Sequence, residues 1–302
     1  MTGDGEAVVD LRTSLGAVEV ARDALRVSGP EAIGYLQGQL SQDVEALDVG
    51  ASARSFVLQP TGKVDAWVRL SRTDEDEVVI DIDGGFGEAV AARLRRFLLR
   101  TKAEITPLDW RCVALRGPGS QEAAVRAVSD RDGAIAVPAG WPGIEGADLL
   151  GHDVEVPPGV PAAGREAYEA ARVRAGVPAM GAELTERTIP AEVGRWVVES
   201  SVSFTKGCFT GQELVARIDS RGGNVPRHLR LLVSTAGELA AGAPVVVDGG
   251  EVGRVTSSAP APDGGAVGLA LVGRAITPPA AAEVRSDAGA VPVTVLEPPD
   301  AA

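Results

Sequence analysis

The residues able to do chemistry concentrate at 206–213, Lys-Gly-Cys-Phe-Thr-Gly-Gln-Glu. Cys208, one of only two cysteines, lies two positions after Lys206, with glycines on either side at 207 and 211. A thiol becomes a nucleophile or a metal ligand when a nearby cation or a helix N-terminus lowers its pKa. Lys206 offers such a cation. Residues 211–214 could open a helix whose free N–H groups face the same point. The competing reading is a small buried hydrophobe, the commoner fate of a lone cysteine. The glycines and the lysine favour a loop over a packed strand. Cys112 sits in the apolar run Val113-Ala114-Leu115 and reads as core.

The thiol has few partners in the composition. There are two histidines, and His228 lies among arginines, where a neutral or solvated ring is expected. No metal site is expected, and two cysteines exclude a four-thiolate Fe–S centre within one chain. Gly84-Gly85-Phe86-Gly87 lacks the Lys and Ser/Thr of a phosphate-binding loop. A net charge of -13 argues against general nucleic-acid binding, which needs a positive surface to displace counterions. Residues 1–10 lack the basic and apolar segments of a secretion signal. No apolar run approaches the ~18 residues that span a bilayer. A cytoplasmic, reducing setting, no membrane partner and a monomer are therefore expected.

The elements that must position the loop follow from periodicity and turn chemistry. Strands are expected at 17–20 and 25–27, then a helix at 31–40 opened by Gly29-Pro30. Residues 55–58 and 63–70 form a hairpin around Gln59-Pro60-Thr61-Gly62. A strand at 78–82 and a helix at 88–100 come next, with four arginines favouring that helix's C-terminal dipole. A strand at 110–115 leads through Gly117-Pro118 into a helix at 120–128, the same device as at 27–30. A helix at 166–175 stops at Gly176 and Pro178, and 180–195 reads as an irregular interdomain loop. Six short strands after residue 230 predict a small antiparallel barrel or sandwich, with a boundary near Pro226.

The octet resembles the KGC[YF]xGQE signature of the YgfZ-type folate-binding proteins, relatives of the glycine-cleavage T-protein, an aminomethyltransferase. Leu25-Arg26-Val27-Ser28-Gly29 with Tyr35-Leu36-Gln37-Gly38 and Asp43 is similar to the family's N-terminal block. Residues 56–64 resemble its LxPxGKV hairpin, and Arg172, Gly176 and Pro178 its segment before the signature. Pro190 and Glu192 match the linker, and the arginines from 217 to 230 the tail. The matched blocks occur in family order over roughly residues 20–235.

The resemblance implies an α+β fold: a three-domain, aminomethyltransferase-like ring around a central folate pocket. Its N-terminal domain would comprise 1–50 plus 162–225, its ferredoxin-like middle domain 51–161, and its C-terminal β-barrel 226–302. The implied cofactor is tetrahydrofolate or a derivative. The implied partners are Fe–S proteins or their assembly machinery, including radical enzymes that modify tRNA. Cys208 would be the reactive or cluster-contacting thiol and Lys206 its tuner. Phe209, Gln212 and Glu213 would hold the loop or contact folate. Arg172, Arg217, Arg221 and Arg227 are candidates for the folate carboxylates, since arginine pairs with them bidentately; at least half of these should prove to be ordinary ion pairs. Asp65 and Trp67 complete the expected cofactor contacts.

Two departures bear on catalysis. The T-protein's Asp-Asp pair after the hairpin turn corresponds here to Lys63-Val64-Asp65-Ala66-Trp67, with Asp65 one position out. Its pterin-holding acidic residue corresponds to Arg174, which cannot accept the pterin's donors. Both favour an accessory factor. The alternatives are a folate-dependent one-carbon transferase or demethylase, using Asp65 or Asp43, and a folate-sensing module without chemistry.

Overall fold

The computed structural model describes residues 8–129, 131, 133–220, 222–235, 237–287 and 289–300. A five-stranded antiparallel sheet runs in the order β3(Ser52–Leu58), β4(Val64–Asp74), β5(Glu77–Asp83), β2(Arg22–Ser28), β6(Glu104–Leu108). It carries α1(Ala32–Gln39) and α2(Gly87–Arg95) on one face. Strand β4 shows how sequence makes this layer. Ala66, Val68 and Leu70 pack with Leu36, Val90 and Leu94 under the helices. The intervening Trp67, Arg69 and Ser71 turn to the opposite face, as the pleat requires. The helix expected to reach residue 100 ends at Arg95.

A four-stranded sheet has the order β1(Gly16–Val20), β7(Arg111–Arg116), β9(Gly146–Gly151), β8(Ile135–Pro138), with α3(Ser120–Val128) packed on it. The span 51–161 expected as one middle domain is thus divided between two sheets. The strands of 52–108 join β2 in the five-stranded sheet, and those of 111–151 join β1 in the four-stranded one. Ala24 to Ser28 pair across to 104–108, so the N-terminal strand belongs to the layer that the sequence reading kept separate from it. Pairing partners are set by facing surfaces that local patterning does not encode.

Residues 227–296 close a barrel of six antiparallel strands: β10(Arg227–Ser234), β13(Ala266–Gly273), β12(Gly250–Pro260), β11(Pro244–Val247), β14(Ala280–Ser286) and β15(Gly289–Leu296), the last pairing back to β10. All six strands expected after residue 230 are present. Between sheets and barrel lie α4(Arg165–Arg174), a 3₁₀ turn at Pro190–Val193, α5(Arg195–Ser201) and α6(Gln212–Asp219). The buried residues of α4 include Ala167, Ala170 and Ala171, small enough to let the helix lie close against β12. Phe56, Trp67, Trp141 and Trp196 share one apolar cluster with Leu231, Val267 and Leu269 of the barrel.

The two sheets face each other across buried charge. Asp81 accepts from Arg22 Nε at 2.5 Å and from Arg69 Nε at 2.9 Å. Asp148 joins Arg69 Nη1 at 2.7 Å and Arg116 Nη1 at 2.8 Å. Arg116 also lies over the Trp141 ring at 4.0 Å. Burial pushes both carboxyls up, but the surrounding guanidinium groups more than offset it, and both stay below the ordinary carboxylate range.

Candidate functional site

The octet is a loop between α5 and α6, held from two sides. On one side, Lys206 reaches the C-terminal end of α1. Its ammonium donates to the carbonyls of Gln37 (2.6 Å), Leu40 (2.9 Å) and Gln42 (2.8 Å). Carbonyls at a helix end have no intrahelical partner and attract a cation. Three acceptors use all three ammonium donors. Burial lowers the lysine pKa to about 8, so the charged form still dominates at neutral pH. Thr210 N donates to Gly38 O at 3.2 Å, adding a second tie to the same helix.

On the other side, the octet meets the hairpin turn backbone to backbone. Gly62 and Gly211 both adopt positive φ, 79° and 83°. A Cβ on Gly211 would stand 2.5 Å from Gln59 O, and one on Gly62 would stand 2.4 Å from Leu214 Cβ. Only glycine permits that approach. The two most recognisable sequence blocks are therefore one structural unit. Between these anchors Cys208 is exposed.

The structure gives Lys206 a structural role. Its donors go to backbone carbonyls at and just beyond the end of α1, so Lys206 fixes the loop. Gln212 opens α6, as the expected helix start requires, and its Oε1 accepts from Phe209 N at 2.9 Å. Phe209 lies 5.3 Å from the Lys206 ammonium. Both residues thus hold the loop. Glu213 and Arg217 are exposed, and Arg221 lies outside the described residues.

The remaining candidates are engaged within the protein. Arg172 is buried and donates to Glu169 (2.8 Å), Val177 O (2.7 Å) and Glu183 (3.4 Å). Arg227 grips Glu192 through Nε at 3.0 Å and Nη2 at 3.1 Å. Trp67 Nε1 donates to Ser201 Oγ at 2.8 Å. Asp65 is the extra residue of a β-bulge: Leu58 pairs with Val64 and Val57 with Ala66. A bulge removes a side chain from the pleat's alternation, and Asp65 lies 3.4 Å from Arg93 of α2. Asp43 accepts from Gln37 Nε2 at 2.9 Å and from Ala46 N. Arg174 is ion-paired to Asp263 of the barrel.

Two buried glutamates organise the irregular 180–195 segment: Glu183, which sequence reasoning missed, and Glu192, which it had only as a match to the family's linker. Glu183 accepts from Arg172, Ala179 N and barrel Ser257 Oγ, the last at 2.6 Å. Glu192 joins Ile189 N to Arg227. A carboxylate amid polar loop residues looks solvated, so only the tertiary contacts could single out Glu183 and give Glu192 its role. Trp196 was missed as well. It borders a cavity of about 750 Å³ between the 3₁₀ turn, α6 and the barrel.

This architecture has solved counterparts. The aminomethyltransferase T of the Bartonella henselae glycine cleavage system superposes with a TM-score of 0.78, covering 96% of this chain and 87% of that one at 20% identity. The fold is thus that of the aminomethyltransferases. No family model matches the chain. Among curated proteins, the tRNA-modifying protein YgfZ of Klebsiella pneumoniae is 26% identical over 89% of this chain and 88% of its own length. A mitochondrial iron-sulfur cluster assembly factor IBA57 homolog from Chaetomium globosum is 26% identical over 77% of this chain, and the chain spans 59% of it. The chain is thus similar in sequence to YgfZ-type proteins and in fold to the glycine-cleavage T-protein. Among the described residues no helix is long and apolar enough to cross a membrane.

Proposed function

We propose that this protein is a YgfZ-like factor that binds tetrahydrofolate or a derivative and supports the assembly or maintenance of Fe–S proteins, presenting Cys208 to its partner. The observation that carries this reading is the exposed thiol on a loop immobilised by Lys206 and by the Gly62–Gly211 contact. The names of the YgfZ and IBA57 relatives supply the class of partner.

The donor set sharpens the cofactor question. Arg172, Arg227, Trp67 and Asp65 already have protein partners, so they would hold folate only by giving up those bonds. When bound, a reduced folate would supply one-carbon or redox chemistry. The chain's residues would position it and exclude water.

A one-carbon transferase fits less well. It needs a carboxylate free to act near the folate nitrogen, whereas Asp65 faces Arg93 and Asp43 stabilises the turn after α1. The test is a parallel melting series of wild type and Cys208→Ala with 5-formyltetrahydrofolate. Ligand at 100 times its Kd adds about 2.7 kcal/mol, a rise of several degrees expected in both proteins, while support of an Fe–S client is lost only in Cys208→Ala. No thermal shift over a wide ligand range would refute folate binding. Intact client support without the thiol would favour a folate-sensing module.

A further inference from the structure

Between the end of α2 at Arg95 and the start of β6 at Glu104 the chain makes a short outward knuckle. Phe97 is 45% exposed there and Leu99 84%, the highest among the large apolar side chains that face solvent in the described residues. Leu98 between them packs into the core beneath the helices. Three backbone bonds hold the shape: Phe97 N to Leu94 O (3.0 Å), Leu98 N to Arg95 O (3.2 Å) and Thr101 N to Leu98 O (3.1 Å). The far end is clamped as well. Lys102 N donates to Glu31 at 2.8 Å, and a Cβ on Gly29 would stand 2.6 Å from Lys102 O. Single apolar side chains scattered on a surface are ordinary. Two on one fixed turn form a presented patch.

The patch is basic in a chain of net charge -13. Arg93 and Arg95 are engaged, with Asp65 at 3.4 Å and Ile105 O at 2.8 Å. Arg96, Arg100 and Lys102 are exposed, and their side chains have no ion pair or hydrogen bond among the described residues. The neighbouring carboxylates are occupied, Glu31 by Lys102 N and Glu104 by Thr106 Oγ1 at 3.3 Å. Arg100 also holds φ at 64°, a conformation that glycine adopts freely and arginine rarely. Neither the backbone nor the packing there calls for an arginine, so what the residue offers is a cation in solvent.

We propose that residues 96–102 dock an acidic protein surface, whose carboxylates pair with Arg96, Arg100 and Lys102 and whose apolar recess takes Leu99 and Phe97. A protein partner can set carboxylates opposite three cations and stay neutral elsewhere. A polynucleotide or an anionic bilayer would instead meet the chain's whole negative charge, and two apolar side chains make a small membrane anchor. The knuckle adjoins the support of the octet. The Arg93 guanidinium lies 4.4 Å from the Phe97 ring centre and donates to Leu58 O at 3.3 Å. Gly211 rests on the same residue, since a Cβ there would stand 2.8 Å from Leu58 Cβ. A partner seated on the knuckle is therefore held beside the hairpin that carries the Cys208 loop. The inference stands apart from folate binding and from the chemistry of the thiol.

Anisotropy titration of the full chain with a labelled peptide of glutamate and leucine tests it, beside single-stranded RNA and vesicles of phosphatidylserine and phosphatidylcholine. The wild type should bind the peptide, and added salt should weaken binding. Reversing two charges in Arg96→Glu/Arg100→Glu should weaken it by more than about tenfold. Leu99→Ser should weaken it about tenfold, the effect of one apolar side chain left unburied. Arg100→Gly fits the backbone at least as well, so it should weaken binding about two- to fivefold without lowering Tm. All three positions are exposed, and unchanged melting checks that the variants fold. No peptide binding by the wild type, or binding indifferent to these substitutions, would overturn the proposal. Tighter Leu99-dependent binding of the RNA or the vesicles would also overturn it, as would a dimer of the chain alone that Leu99→Ser dissociates, because each names a different occupant.

Discussion

The octet and the charged layer between the sheets use ionisable groups in opposite ways. In the layer, Arg22, Arg69 and Arg116 are nearly or wholly desolvated and depend on Asp81 and Asp148 for compensation. In the octet a single lysine holds backbone carbonyls, and the Cys208 thiol is left in solvent. One region uses charge to join two sheets, and the other uses it to hold a loop still while a thiol stays accessible. The number of arginines near a motif is therefore a poor guide to ligand contacts. Of the four arginine candidates, Arg172 and Arg227 are internal ties.

The largest effect should come from breaking the charged layer. Asp148→Asn removes the shared partner of Arg69 and Arg116, and chemical unfolding should show a loss of about 3–5 kcal/mol. A loss below about 1 kcal/mol would mean that the sheets are held by apolar contact alone. The same region sets a pH dependence. Asp81 and Asp148 have folded pKa values below their unfolded ones, so the unfolded chain binds more protons as the solution is acidified. Their stabilisation is fully present above the unfolded pKa, near 4, and is lost as pH falls through the folded values. Wild type should lose stability between pH 5 and 3 more steeply than Asp148→Asn.

A middle-sized effect is expected at Lys206. Lys206→Met keeps the stem and strips three carbonyls of their donor, costing about 1.5–3 kcal/mol for the loss of charged hydrogen bonds. Limited proteolysis should then cut within 206–213. A loop as resistant as wild type would show that the Gly62–Gly211 contact is sufficient without the lysine.

The smallest stability effect belongs to Cys208→Ala, within about 0.5 kcal/mol, as for an exposed side chain away from packing. The two thiols should nevertheless differ sharply in reactivity. Burial pushes the Cys112 thiol well above its ordinary range, and iodoacetamide should label Cys208 first. Equal slow labelling of both would contradict an accessible octet.

Much of the local structure was legible beforehand. The helix at 120–128, the hairpin around Gly62 and all six barrel strands follow from short-range patterning. The helix after Gly211 was legible from its glycine and its amide. Asp65 shows where such reading stops. Its displaced position suggested a side chain turned to the wrong face, and the structure answers with a bulge that hands it to Arg93. Bulges depend on the partner strand's register, which a single strand does not carry.

Sequence alone was enough to place the hairpin, the helix after Gly211 and the barrel strands, because glycines, turn residues and periodicity act over a few neighbours, while the aminomethyltransferase-like fold came from the resemblance of whole blocks. Only the tertiary structure decided what each charge does. A guanidinium or carboxylate takes its role from what lies within about 3 Å after the chain has folded, and those partners came from far along it: Ser257 for Glu183, Glu192 for Arg227, and the end of α1 for Lys206. The octet sits where α1, the hairpin turn and α6 meet, with its lysine as an anchor and its thiol exposed.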